Sequence, residues 1–155
     1  MSKRKPQLVL VGNGMAGVRL LEELLKRAPG RYRTTVFGNE PMGCYNRIQL
    51  SPVLAGEKTA EQIVTHPPGW YAERGIGLHA NDPVVAIDRT ARTITTASGL
   101  VAHYDRLVLA TGSRPIRLPL PGADLPGVRS FRDLADVQAM VEAAARGGPA
   151  VVTLA

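Results

Sequence analysis

The chain has 155 residues, 45% of them hydrophobic and 21% charged, with a formal net charge of +6; at this length one domain buries roughly 70% of the surface its unfolded chain exposes. No apolar run reaches the roughly 20 residues of a membrane helix, and the apolar stretch after Met1-Ser2-Lys3-Arg4-Lys5 meets Gly12-Asn13-Gly14 too soon for a secretory leader. Arginines scattered from Arg4 to Arg146 and a scarcity of aromatic residues argue against nucleic acid, and Cys44, the one cysteine, makes neither an internal disulfide nor a metal cage.

A cytoplasmic protein is therefore expected, with no membrane and no nucleic acid among its partners. Its cationic surface suits anionic cofactors and acidic redox partners.

In chain order, residues 7 to 11 read as a buried parallel strand. Val18, Leu20, Leu21, Leu24 and Leu25 then recur at helical spacing up to Pro29-Gly30, and Thr34 to Phe37 make a second strand. This is a βαβ unit, whose crossover should be right-handed. From Gly38 to Pro52 the composition is that of a loop, interrupted by Pro41, Gly43, Asn46 and Pro52. Thr59 can cap a short helix, and Pro67-Pro68 open another through Trp70-Tyr71 and Arg74 to Gly75, where the aromatic pair reads as the anchor of an amphipathic face. Two-residue alternation follows in Val84 to Ile87, Arg92 to Thr95 and, after a Ser98-Gly99 turn, Val101 to His103, which predicts a small β-meander.

The meander feeds an apolar strand from Leu107 to Leu109. Arg114 to Pro126 is proline-rich and irregular. Asp133 caps a helix with Leu134, Val137, Met140, Val141 and Ala144 on one face and Gly147-Gly148 at its end, and a last strand is expected from Ala150.

The fold class is α/β, a Rossmann-like half-domain with a parallel sheet and a small meander. Its chemistry starts at Leu8-Val9-Leu10-Val11-Gly12-Asn13-Gly14-Met15-Ala16-Gly17, a strand running through a glycine turn into a helix. Gly12 permits the tight turn, Gly14 lets backbone approach a pyrophosphate, and Gly17 lets helix and strand come close. The amides at the helix start, aided by the helix dipole, receive the anion. The fingerprint also asks for a carboxylate near the end of the second strand to accept from ribose hydroxyls. Glu40 is the candidate, with a solvated loop glutamate as the alternative. With Leu107-Val108-Leu109-Ala110-Thr111-Gly112 far downstream, the pattern points to FAD.

The glycine turn, the run Tyr45-Asn46-Arg47-Ile48-Gln49-Leu50-Ser51-Pro52-Val53-Leu54-Ala55-Gly56-Glu57-Lys58, Trp70-Tyr71 with Gly75-Ile76, Val84 to Asp88, and Ala110-Thr111-Gly112-Ser113-Arg114-Pro115 together resemble the FAD- and NAD(P)H-binding flavoprotein reductases. Within them, the run from Tyr45 to Glu57 resembles the large subunit of NAD(P)H-dependent nitrite reductases. The resemblance extends from Gln7 to Val152 and covers only the beginning of that longer family. It implies that Gly12, Gly14, Met15 and Ala16 present backbone to the FAD pyrophosphate and that Glu40 meets the adenosine ribose. It further implies that Arg47 reaches the flavin's phosphates or ring edge, with Leu50 and Ser51 nearby. Val84 would read the adenine through its backbone, and Ala110, Thr111 and Gly112 would pass close behind the cofactor. Arg47 also reads as a loop brace, the Ala110 to Gly112 segment as a tight strand-to-loop turn, and Cys44 as an ordinary loop thiol.

The chain departs from relatives of this kind in two places. Ferredoxin-type reductases place a lysine after Leu-Ser, where this chain has Pro52; the disulfide-reductase branch needs a cysteine pair, and Cys44 stands alone. Residues 1–130 are accordingly expected to be the amino-terminal part of an FAD-binding domain, and 131–155 a linker helix and the first strand of an NAD(P)H-binding domain cut short. In the intact family, hydride passes from NAD(P)H to FAD and electrons go onward through an iron-sulfur cluster and siroheme, reducing nitrite to ammonia in nitrate assimilation. The partner would be the remainder of the reductase or a small redox subunit. No acid, base or nucleophile is assigned on this chain. The alternatives are a reductase serving ferredoxin, rubredoxin or nitrate reductase, or a catalytically silent nucleotide-binding fragment.

Overall fold

A computed structural model describes residues 4–151, which group into two units. The first comprises the described residues through Tyr45 together with Val64–Ser113. Its centre is a parallel sheet of β1 (Gln7–Val11), β2 (Arg33–Phe37), β5 (Gly77–His79) and β9 (Arg106–Leu109), in the order β5-β2-β1-β9. The register sets Leu10 beside Val36 and Val108. Helix α1 (Met15–Arg27) returns the chain from β1 to β2.

Alternate residues of β1 build two cores. Leu10 packs with Val18 and Leu21 of α1, Val36, Cys44, Tyr71 and Ile76. Val9 and Val11 pack with Phe37 and with Ile94 of the antiparallel meander formed by β6 (Val84–Asp88), β7 (Thr93–Thr96) and β8 (Val101–His103). Helices thus cover one face of the sheet and the meander the other, which is why β1 carries the unbroken apolar run of a strand buried on both sides. Short helix α3 (Pro68–Glu73), with Pro68 at its first position, sends fully buried Tyr71 into the helix-side core, as the amphipathic reading requires.

The differences from the sequence reading have local causes. The Gly38 to Pro52 stretch is not all loop. Cys44–Tyr45 form β3, antiparallel to β4 (Val64–His66), so Cys44 is a buried core residue and not a loop thiol. Gly43 makes that pairing possible, since a Cβ there would lie 1.9 Å from the carbonyl oxygen of His66. Arg92 lies outside β7 because its φ of 53° is left-handed; Asp88 Oδ1 accepts from the amides of Thr90 and Ala91 to turn the chain there. Strand β5 carries no alternation that announces it, and Leu20 of α1 faces solvent.

The second unit comprises Asn46–Ile63 and the described residues from Arg114 onward. Asn46 caps a 3-10 turn over Arg47–Gln49 by accepting from the Ile48 amide at 3.1 Å, and α2 (Leu50–Leu54) follows. Pro52 does not break α2, because it sits in the first turn, where amides have no partner within the helix. Thr59 caps a 3-10 turn, Glu61–Ile63, in a reciprocal pair: its amide donates to Gln62 Oε1 at 2.8 Å and its Oγ1 accepts from the Gln62 amide at 3.4 Å.

Residues 114–130 carry no helix or strand. Helix α4 (Leu134–Ala145) packs against α2 and opens with a full capping box between Asp133 and Asp136. Of its apolar face only Val137 is buried. Ala150 and Val151 form no strand, and the rest of the strand expected there lies outside the described residues.

Candidate nucleotide-binding site

The order β5-β2-β1-β9 means that the chain leaves β1 toward β2 and β5 on one side and returns to its other side only with β9. Open α/β sheets bind ligands at the carboxyl ends of the strands, where the winding reverses in this way. The chain beyond Val11, Phe37 and Leu109 lies at that edge. There Gly12 donates its amide to Phe37 O at 2.8 Å, and Ala110 donates to Val11 O at 2.7 Å.

Gly12 has φ +106°, and a Cβ on it would lie 2.1 Å from the Ala110 carbonyl oxygen. A Cβ on Gly17 would lie 2.7 Å from Gly12 O and 3.5 Å from the Ala110 side chain. Gly12, Gly17 and Ala110 therefore form one close-packed corner that tolerates no added atom. Gly14 is different. Its backbone is extended (φ −90°, ψ −178°), and a Cβ there would meet nothing within 4 Å. The protein's own packing does not demand glycine at this position, so the space beside it is open to a ligand. Gly14 is the N-cap of α1 and supplies no side-chain cap, and the first turn holds no acidic residue. The amino end of α1, with Met15 and Ala16 exposed, thus presents backbone amides and a positive dipole end with no competing carboxylate from that turn.

Glu40 follows β2 and is held at both ends. Its backbone carbonyl accepts from the Asn81 amide at 3.0 Å, Asn81 being left-handed with φ 55°. Its carboxylate accepts from the hydroxyl of buried Tyr45 at 2.5 Å. Glu40 is half-buried and not a freely solvated loop residue. The turn itself is braced from α3: Tyr71 donates its hydroxyl to Asn13 Oδ1 at 2.6 Å. Burial, with the Cys44 thiol beside it, pushes the Tyr71 phenol up to about 12. Neither tyrosine contact is visible in the sequence, since no spacing rule joins Tyr71 to Asn13, 58 positions away, or Tyr45 to Glu40, five positions away in an irregular loop.

Val84 opens β6, half-buried against the meander-side core and next to a bulge. Thr111 and Gly112 are exposed, Gly112 with φ +70°. The remaining candidates lie in the second unit. Arg47 donates from its guanidinium to Arg132 O at 2.9 Å. Leu50 is buried, and Ser51 is exposed at the second position of α2. Among the described residues no group of three or more His, Cys, Asp or Glu could hold a metal ion. The chemistry available at the sheet edge is backbone recognition of a phosphate-bearing ligand, with one fixed carboxylate nearby.

The model of the pyridine nucleotide-disulphide oxidoreductase family matches residues 6–152. The chain is 48% identical over 139 residues to nitrite reductase [NAD(P)H] of Bacillus subtilis (strain 168), covering 90% of the chain and 17% of that protein. It is 43% identical over 141 residues to the assimilatory nitrate reductase electron transfer subunit of the same organism, covering 91% of the chain and 18% of that protein. Among solved structures, the ferredoxin reductase for the CYP199A2 system from Rhodopseudomonas palustris superposes with a TM-score of 0.80 at 29% identity, covering 88% of the chain and 34% of the other. The chain spans less than a fifth of the length of the two Bacillus proteins.

Proposed function

Because the chain belongs to the pyridine nucleotide-disulphide oxidoreductase family, we propose that it is the amino-terminal FAD-binding segment of an NAD(P)H-dependent nitrite reductase large subunit. The observation that carries the proposal is the uncapped start of α1 beside the open face of Gly14, at the point where the sheet's winding reverses. The residues fit FAD on chemical grounds: backbone donors for a diphosphate, an acceptor carboxylate for a ribose, and glycine where bulk cannot go.

In this reading the backbone of Gly12, Gly14, Met15, Ala16 and Gly17 holds the pyrophosphate and Glu40 accepts from the adenosine ribose. Val84 meets the adenine through its main chain, and Ala110, Thr111 and Gly112 line the rear of the cofactor. Arg47, Leu50 and Ser51 belong to the flavin end. The Arg47 guanidinium also donates to Arg132 O, which holds the side chain in place. When bound, FAD supplies the capacity to accept a hydride and release single electrons; the protein binds, orients and shields it.

For the whole protein we propose transfer from NAD(P)H through FAD, an iron-sulfur cluster and siroheme to nitrite, in the cytoplasm, with the remainder of the reductase or a small redox subunit as partner. No helix of the described residues is long and apolar enough to cross a membrane. Residues 1–130 are the FAD segment and 131–155 the entry to an NAD(P)H domain. A second reading, electron transfer to nitrate reductase, is favoured by the 43% identity to the Bacillus electron transfer subunit. Pro52, where ferredoxin-type reductases resembling this chain carry lysine, weighs against a ferredoxin acceptor.

The test is an absorbance spectrum of the purified chain after FAD is added and the excess removed by gel filtration. Retained flavin absorbance supports the reading. A folded, colourless chain refutes binding by this segment alone and leaves it a silent module.

A further inference from the structure

We infer that Tyr45 is a positioning residue that sets the Glu40 carboxylate to accept from the vicinal hydroxyls of a nucleotide ribose; this rests on the FAD reading above. The Glu40 loop lies directly against the glycine turn, since a Cβ on Gly38 would come within 3.0 Å of the Asn13 Cβ. Its main chain is fixed three times over. The Gly38 amide donates to His79 O at 2.9 Å, Gly38 O accepts from the Asp82 amide at 3.0 Å, and Glu40 O accepts from Asn81.

Backbone fixing does not by itself set the side-chain torsions of Glu40, and the Tyr45 hydroxyl constrains them. Tyr45 is only 4% exposed and is pinned in β3 opposite Val64, so its hydroxyl has one place to be, 2.5 Å from Glu40 Oε2. A carboxylate is acceptor-only, with roughly four lone-pair sites. Donation from Tyr45 occupies one of them and orients the plane of the others. A group meeting this carboxylate must donate, as two adjacent hydroxyls do and a phosphate ester does not. Asn81, strained into the left-handed region to reach Glu40 O, belongs to the same device.

The experiment titrates the chain calorimetrically with FAD, ADP and 2′,3′-dideoxy-ADP, as wild type, Tyr45→Phe, Glu40→Gln and the double variant. Wild type should bind ADP about tenfold more tightly than the dideoxy analogue. Tyr45→Phe should shrink that ratio several-fold while leaving the dideoxy affinity unchanged, and should add nothing in the Glu40→Gln background. A wild-type ratio in Tyr45→Phe, or equal weakening of both ligands, overturns the inference and leaves the FAD reading standing. A folded wild-type chain that binds neither FAD nor ADP overturns both. A readout that needs no change at the buried tyrosine is the NMR signal of the Tyr45 ring, which should move with ADP and stay put with the dideoxy analogue. A ring signal blind to ADP, or one moved equally by both nucleotides, likewise overturns the inference.

Discussion

Replacing Gly14 with glutamate separates what the fold needs from what a ligand needs. The extended backbone at Gly14 suits any residue, and the Cβ enters open space, so the unliganded chain should fold as before. A carboxylate at the N-cap of α1 faces the positive end of the helix dipole and should stabilise the free protein by about 0.3–1 kcal/mol. A bound diphosphate would meet that same carboxylate. Two unit charges about 4 Å apart repel by about 1 kcal/mol in water and about 4 kcal/mol at an effective dielectric of 20. FAD affinity should therefore fall roughly fivefold to a thousandfold. Gly14→Ala, which adds bulk without charge, should lose less. Quenching of FAD fluorescence gives the affinity, and urea unfolding followed by Trp70 fluorescence gives the stability. A folded Gly14→Glu chain with wild-type FAD affinity would refute the placement of the diphosphate. A loss of stability above about 1 kcal/mol would refute the claim that this glycine is not required by the fold.

Gly12→Ala should do the opposite. With φ +106° and a Cβ placed 2.1 Å from Ala110 O, it should cost more than about 3 kcal/mol and lower the urea midpoint whether or not ligand is present; an unchanged midpoint would sink the argument. Tyr71 should ionise late. Its folded pKa of about 12 lies above the unfolded value, so the stability tied to the neutral phenol is intact below about pH 10 and drains away as pH rises toward the folded value. Phenolate absorbance that shows every tyrosine ionising together near pH 10 while the chain is still folded would contradict this. The buried Cys44 thiol should react with a disulfide reagent far more slowly than it does in urea; equal rates would mean that the helix-side core opens freely. Asp133→Ala should lose the capping box of α4 and about 1 kcal/mol, seen as faster amide exchange in its first turn.

The legible parts of this fold were those governed by short-range rules. The glycine turn, the apolar run of β1, the Ser98-Gly99 turn of the meander and the Asp133 cap each follow from a few consecutive residues. What escaped was imposed from a distance. Gly77–His79 becomes a strand only because β2 offers it a parallel edge, with Phe37 and His79 stacked 4.6 Å apart. Cys44–Tyr45 pair with Val64–His66 across a loop that leaves the first unit and comes back to it. Pro52 looked like a breaker because position within a helix cannot be judged before the helix is known. At the site, Glu40 and the glycines were legible as residue types, while the tyrosines that hold Glu40 and Asn13 were not, since a hydroxyl's partner is a fact of tertiary structure.

The reversal of winding around β1 also has a history in time. β1, α1 and β2 are synthesised first, but the strand that covers the other edge of β1 is β9, which a ribosome working at about 5–20 residues per second delivers several seconds later. Throughout that interval the most apolar strand in the chain offers bare amides and carbonyls along one side. The same arrangement that opens a crevice for a ligand in the finished protein leaves the nascent chain with an unguarded edge, and α1 and the contacts of Val9, Leu10 and Val11 made by then are what shield it until β9 arrives.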